Sequence, residues 1–422
     1  MTHSVVYNTA AQLLAKVVSM ALTVVATMLI TRAFGKEGYG QFAIMQTLPA
    51  LFYILADFGL NTTALKKIAG GNATTAQHYY HTVLSLRLLL SIIFIGILNC
   101  SILLLPYSAF LKTGIAVSSV LILTQALYAS TNLLFQYKQR YDLSAIGYIA
   151  GSVLTLVLVV LAIRGGLDVR LLSFAYVVGG LLTFVVNAGL LAKLRYLTCL
   201  RIDLAVAKNL LAGSLPLGLM FIFSQITFKA DAILISLLSL PPKLGLTNVE
   251  AVAIYTLPYK VFEVALVLPT FFMNAMYPIF VTGCRENRGK LQSVFRTTVK
   301  YMLALGLLAS ATLYVAAPTI VTVLGGQTFG QSVAVLRILA IGLVIFFLTQ
   351  PISYLIVTLD RQKYLPAIYL ASAVFNVTAN LMFIPTYSFI ASAYITWLSE
   401  ALILCLLSFA AVKSWREHYA HN

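Results

Sequence analysis

Lys16, Asp57, Arg87, Lys229, Asp231, Lys260, Glu263, Arg337 and Glu400 stand inside long runs of apolar residues. A charge at the centre of a bilayer costs about 2.5–3.5 kcal/mol on insertion scales. Side chains that carry this cost are expected to face a water-filled cavity or each other. Lys260 and Glu263 are three residues apart, so on a helix they share a face. The cations Lys16, Arg87, Lys229 and Lys260 match or exceed what the nearby acids need, and a cavity holding such an excess suits an anion. Pyrophosphate is the leading candidate, because charge-assisted bonds to phosphate oxygens are the strong kind. The acids suit a different role. Burial among apolar groups favours the neutral form of a carboxylic acid. Asp231 and Glu263 first, and Asp57 third, are therefore candidates to release a proton or bind sodium as the protein changes shape. The competing reading is that these charges pair with one another or snorkel to an interface, and it weighs most for Arg337 and Asp57.

Other chemistries find little support. Gly35-Lys-Glu-Gly-Tyr-Gly40 lacks the full phosphate-loop pattern and a preceding strand, and reads as a plain turn. His3, His78, His81, His418 and His421 lie near ends and loops and form no metal-ligand pattern. Cys100, Cys199, Cys284 and Cys405 have no paired spacing and are expected to be free and structural. No catalytic residue, metal or cofactor is expected beyond a coupling proton or sodium ion. The abundant aromatic residues, 23 Tyr and 24 Phe, must mostly face lipid or pack, while those lining a cavity could stack on sugar rings.

The elements that must position these charges follow from composition. Of 422 residues 60% are hydrophobic and only 9% charged, with a mean hydropathy of +0.94. A soluble domain carries roughly 25% charged residues, so much of this surface must face lipid. Backbone groups in lipid must be satisfied within the segment, which selects helices; short alternating strands of a barrel are not seen. A span takes about 20 apolar residues, and the chain reads as an all-α membrane protein of about twelve transmembrane helices. The first two are expected over residues 8–33 and 40–61, and the ninth over 298–317. The first carries Lys16 and lacks a basic leader, so it is expected to remain as a span. The formal net charge is +16, but no basic run suits nucleic acid. Instead Lys and Arg concentrate in the even-numbered connections and the C-terminal tail, which places both termini in the cytoplasm.

The chain also looks duplicated. Thr47-Leu-Pro49 recurs as Thr256-Leu-Pro258, and Ala145-Ile146 after a basic loop recurs as Ala367-Ile368. Two lobes of equal span number are expected, residues 1–200 and 201–422. They should share one orientation, related by an axis along the membrane normal. Pro49, Pro258 and Pro216 are hinge candidates, since proline removes a helical hydrogen bond.

Particular blocks carry a resemblance. Leu29-Ile-Thr-Arg32-Ala-Phe-Gly35-Lys-Glu-Gly38-Tyr-Gly40, Asp57-Phe-Gly-Leu60 followed by Lys66-Lys-Ile-Ala69, and Ile320-Val-Thr-Val-Leu-Gly325 resemble blocks of the polysaccharide biosynthesis protein family. That family includes O-antigen flippases of the Wzx type and belongs to the multidrug/oligosaccharidyl-lipid/polysaccharide (MOP) exporter superfamily, which also holds the MATE transporters. The resemblance implies two six-helix bundles around a V-shaped cavity that opens alternately to each side. It also implies an undecaprenyl-type polyprenyl-pyrophosphate-linked oligosaccharide as substrate, membrane lipids and a polysaccharide polymerase as partners, and a monomer in a bacterial inner membrane. The extra pair of spans typical of lipid II flippases is missing. One rival is a cation-coupled multidrug exporter, which would want net acid in its cavity. Another is a membrane polymerase or ligase, which would want a substantial outer loop with positioned polar groups; the outer connections here are short.

Overall fold

The computed structural model describes residues 2–420, with side chains over 15–419; His3 and His421 lie outside that side-chain range. Thirteen α-helices follow in chain order: α1 (Thr2–Asp57), α2 (Leu60–Ile68), α3 (Ala73–Leu104), α4 (Ala109–Tyr137), α5 (Tyr141–Arg164), α6 (Val169–Lys193), α7 (Leu204–Leu237), α8 (Asn248–Ala265), α9 (Val267–Glu286), α10 (Arg288–Gly325), α11 (Ser332–Thr358), α12 (Leu365–Tyr387) and α13 (Phe389–Ala420). Among the described residues, 11 helical segments are long and apolar enough to cross a membrane. The chain is a multi-pass membrane protein. Large apolar side chains such as Leu104, Val315 and Phe409 stand exposed, which lipid tolerates and water would not.

The first segment, Ala15–Ile68, is much longer than one bilayer crossing, at 54 residues. Its helix α1 is two helices joined at Gly35 (φ 64°, ψ −163°). The stretch from Gly35 to Gly40 is therefore no extended turn: only Gly35 leaves helical geometry, at a positive φ that glycine takes without a steric penalty, and helix resumes at once. The ninth span is expected to begin at Thr298 after a loop. Instead only Asn287 leaves helical geometry, and α10 begins at Arg288. Basic residues are good helix formers, so charge density marks where the chain leaves lipid without marking where the helix ends.

Short polar residues start the helices. Asn72, Ser108, Asp168 and Asn287 accept from backbone N–H groups of α3, α4, α6 and α10, and Thr247 with Glu250 forms a capping box on α8. Each satisfies N–H groups that have no partner within the helix. Arg170 beside Asp168 holds that carboxyl below the usual carboxylate range.

The chain divides into two compact units, Met1–Ile222 and Phe223–Asn422, inside α7. The division falls past the expected boundary at residue 200 because the first part of α7 packs on the N-terminal unit. Ala207 and Leu210 join Leu60, Ala64, Tyr80 and Leu134 in one buried core. The segment between α6 and α7 is fastened to α3 as well: His81 Nε2 meets the Leu197 carbonyl at 2.8 Å, and Tyr80 and Thr198 hydroxyls lie 3.1 Å apart.

Within the N-terminal unit α5 and α6 approach closely at Gly151 and Gly179. A Cβ at Gly151 would strike the Thr183 side chain and the Gly179 carbonyl. Small residues let helix backbones approach in membranes. Gly151→Leu should cost about 1–3 kcal/mol by overpacking and lower the thermal midpoint in detergent. An unchanged midpoint would show that the two helices are free to separate there.

Candidate functional site

Three constellations gather the polar groups of the interior. The first closes α1. Phe58 and Gly59 take left-handed backbone, φ 45° and 68°, and Asp57 Oδ2 accepts from the Gly59 N–H at 3.4 Å. Asp57 Oδ1 accepts from Arg87 Nη2 at 2.5 Å and from the Tyr53 hydroxyl at 3.2 Å. Arg87 also donates to Asn61 Oδ1 at 2.9 Å and Ser130 Oγ at 3.3 Å. Its side chain is 1% exposed, so the guanidinium ties α1, α2, α3 and α4 together and offers no open face to an anion. The Asp57-Phe-Gly-Leu60 block thus has a structural explanation: the acid caps the break and pairs with the buried cation, and glycine permits the turn.

The second constellation is a pair of adjoining cavities in the N-terminal unit, of about 180 and 250 Å³, bounded by α1, α4, α5 and α6. They share Tyr128, Tyr148 and Thr183. The smaller is lined by side chains such as Thr23, Gln46, Gln125, Thr155 and Tyr176. The larger adds Lys16, Asn132, Tyr141, Ser144 and Asn187. Asn187 donates to Thr131 Oγ1 at 2.9 Å while its buried Oδ1 has no partner. Among the described residues, no carboxylate lines either cavity. Aromatic faces, hydroxyls, amides and a single ammonium group make a surface suited to a neutral polyol next to an anion. Lys16 stands out in the sequence as a charge within an apolar run, whereas the tyrosines do not, because tyrosine is spread through the whole chain and carries no spacing of its own.

The third constellation lies in the C-terminal unit. Glu263 is held between two lysines, Lys229 Nζ at 2.5 Å and Lys260 Nζ at 3.3 Å. One carboxylate between two ammonium groups leaves local positive charge, and all three side chains are partly exposed, at 20%, 29% and 47% for Lys229, Glu263 and Lys260. Nearby Asp231 is wholly buried without a lysine or arginine partner. Its Oδ1 accepts from Asn380 Nδ2 at 2.8 Å; its Oδ2 accepts from the hydroxyls of Tyr255 at 2.6 Å and Thr396 at 2.8 Å. Asn376 and Ser392 extend the network through Asn380. A second buried acid, Glu400, accepts from the Thr349 hydroxyl at 2.5 Å. The pair Asn376 and Asn380, four apart on one face of an apolar helix, is a signal of a polar network that the sequence carries without any charge.

Of the remaining sequence candidates, Arg337 sits over the Tyr314 ring at 5.2 Å. Pro49 lies inside α1 and Pro258 inside α8. In each unit the helix breaks about two to two and a half turns beyond the proline, at Phe58 and at Leu266, and each break keeps an acid against a cation. Pro216 lies within the unbroken α7. All four cysteines are free. No cluster of His, Cys, Asp or Glu able to hold a metal occurs among the described residues.

Residues 5–283 match the family described as polysaccharide biosynthesis protein. Comparison with curated proteins finds no match. The fold is similar to several solved structures. One is a multidrug resistance MATE family transporter of the MOP superfamily, inward-facing, at TM-score 0.74, 14% identity and 95% of each chain. Another is the lipid II flippase MurJ, inward closed, at 0.76 and 12%, over 96% of this chain and 89% of that one. A third is a MOP superfamily transporter from Pyrococcus furiosus, at 0.63 and 15%, over 99% and 95%, described as having a binding pocket of reverse polarity. At such identities the likeness is one of fold. The family match, in contrast, spans well over half of the chain, and the protein is a member of the polysaccharide biosynthesis protein family built on the fold of the MOP superfamily transporters.

Proposed function

We propose that this protein is a flippase. It carries polyprenyl-pyrophosphate-linked oligosaccharide units from the cytoplasmic to the outer leaflet of a bacterial inner membrane by alternating access, for O-antigen or another surface polysaccharide. On this reading the chain crosses the membrane twelve times, α1 supplying two crossings, with both termini in the cytoplasm. The observation that carries the reading is the N-terminal cavity, with tyrosines, hydroxyls, amides and Lys16 but no carboxylate. A sugar finds stacking faces and hydrogen-bond partners there, and a phosphate finds an ammonium group; a cationic drug finds no counter-charge. Family membership and the fold shared with a lipid II flippase support the same direction. Lys229 and Lys260 are further anion contacts, with Glu263 setting their positions, whereas Arg87 acts as a structural cation. Asp231 is the site of a coupling proton or sodium ion. No bond is made or broken.

The test is deletion of the gene with lipid-linked units followed on each membrane face. Units should accumulate on the cytoplasmic face, and polymer should be lost. Lys16→Ala should restore less than about a tenth of wild-type polymer while inserting normally, since a charge-assisted contact is worth roughly 1.5–3 kcal/mol. Units that cross but stay unpolymerised would make the protein a polymerase, and unchanged polysaccharide would point to drug export.

A further inference from the structure

Among the described residues, none of the groups assigned to transport lines a groove in the C-terminal unit. It is formed where α10 begins and α11 and α13 end, and it encloses about 540 Å³. A second groove of about 590 Å³ adjoins it, sharing Ser408, Val412 and Arg416. Phe295, Val299, Ile352 and Leu355 make the apolar walls, and Arg288, Arg296 and Arg416 stand on its border. Apolar walls under a cluster of cations are an unusual pairing on a surface that otherwise faces lipid.

The three arginines are not engaged by carboxylates. Among the described residues none of them lies within ion-pair distance of an acid. The acids nearest in sequence are already taken: Glu286 pairs with Lys290, and Glu417 with Arg361 at 3.5 Å and Lys413 at 4.0 Å. Arg288 is instead held over the rings of Trp415 and Tyr419, at 6.0 and 5.6 Å. Tryptophan and tyrosine favour the headgroup level of a bilayer. The ring pair therefore sets the groove at the depth where lipid phosphates lie, with the apolar walls reaching toward the acyl region.

We propose that this groove is a binding site for an anionic phospholipid. Its phosphate is held among Arg288, Arg296 and Arg416, and an acyl chain lies along Phe295, Val299, Ile352 and Leu355. Charge complementarity selects the occupant. A zwitterionic lipid would bring its own cation against three uncompensated guanidinium groups, whereas phosphatidylglycerol or cardiolipin brings net negative charge. Arginine presents a fork that matches phosphate oxygens, and basic pockets between membrane helices hold such headgroups. The bound lipid would bridge the ends of α10, α11 and α13 and couple the stability of this unit to the lipid around it. The inference does not depend on what the protein transports.

Native mass spectrometry of the full-length protein in detergent tests it, with phosphatidylglycerol and phosphatidylethanolamine titrated separately. One phosphatidylglycerol should bind at least about tenfold more tightly than phosphatidylethanolamine. Arg296→Gln should weaken it by about fivefold, and the triple variant R288Q/R296Q/R416Q by on the order of a hundredfold, at about 1 kcal/mol per cation. Lys290→Gln removes an equal charge outside the groove and should leave binding as in the wild type. All these positions are exposed, and thermal unfolding without lipid checks that each variant is folded. The proposal is overturned if the triple variant binds phosphatidylglycerol like the wild type, if Lys290→Gln weakens it equally, or if phosphatidylethanolamine binds as well. Polyprenyl phosphate binding in preference to phosphatidylglycerol would also overturn it, by making the groove part of the substrate path.

Discussion

Arg87→Ala is expected to be the most destabilising single change in the N-terminal unit, by about 3–5 kcal/mol. Removing one partner of a buried ion pair leaves the other uncompensated. Here the loss would strand Asp57, Asn61 and Ser130 together, and would open a void the size of the side chain where four helices meet. Asp57→Ala should cost less alone, because Asp57 is 27% exposed and Arg87 only 1%. The double variant should be less destabilised than the sum of the two, since neither charge is then left without its partner. Thermal or denaturant unfolding in detergent reads all three. An Arg87→Ala protein as stable as the wild type but unable to transport would return the guanidinium to the substrate path.

On the flippase reading proposed above, with Asp231 as the coupling site, Asp231→Asn is expected to reduce transport at least tenfold and to remove its response to an imposed proton or sodium gradient. The carboxylate accepts from three neutral donors, Tyr255, Thr396 and Asn380, without a pairing cation. Such a group can exchange its charge state with an ion without breaking a salt bridge. Asparagine keeps the size but cannot ionise, and it turns an N–H₂ group toward a donor. That mismatch should cost about 1–3 kcal/mol of stability, which calls for a readout other than activity alone. Proteoliposomes with and without a gradient supply it. A variant that is slower but still responds to the gradient would make Asp231 a structural acid and move the coupling role to Glu263 or Glu400.

These two residues mark the boundary between what sequence reading reached and what it missed. Arg87 and Asp57 both stand out in the sequence as charges within apolar runs, but 30 residues separate them and no local pattern pairs them. Only the packing of α3 against the end of α1 brings them to one ion pair. Lys260 and Glu263, by contrast, meet as expected because a single helix turn fixes their spacing. Lys229 joins them from another helix, which no local pattern could foretell. Asp231 was read as buried and titratable, but its partners come from α8, α12 and α13.

The sequence alone determined the class of protein. Charge scarcity and apolar runs of bilayer length admit only a helical membrane protein, since lipid leaves backbone groups no partner outside the helix. The repeated Thr-Leu-Pro blocks marked two of the places where a proline precedes a helix break, and the blocks around Gly35 and Asp57 pointed to the family. Tertiary structure alone decided which of the charges within apolar runs pair with one another and which do not. It gathered the tyrosines of α4 and α5 around Lys16 and handed the first part of α7 to the N-terminal unit. The physical reason is range: hydropathy and helical periodicity act over a few turns, whereas an ion pair or a cavity is set by side chains on helices that meet only after packing.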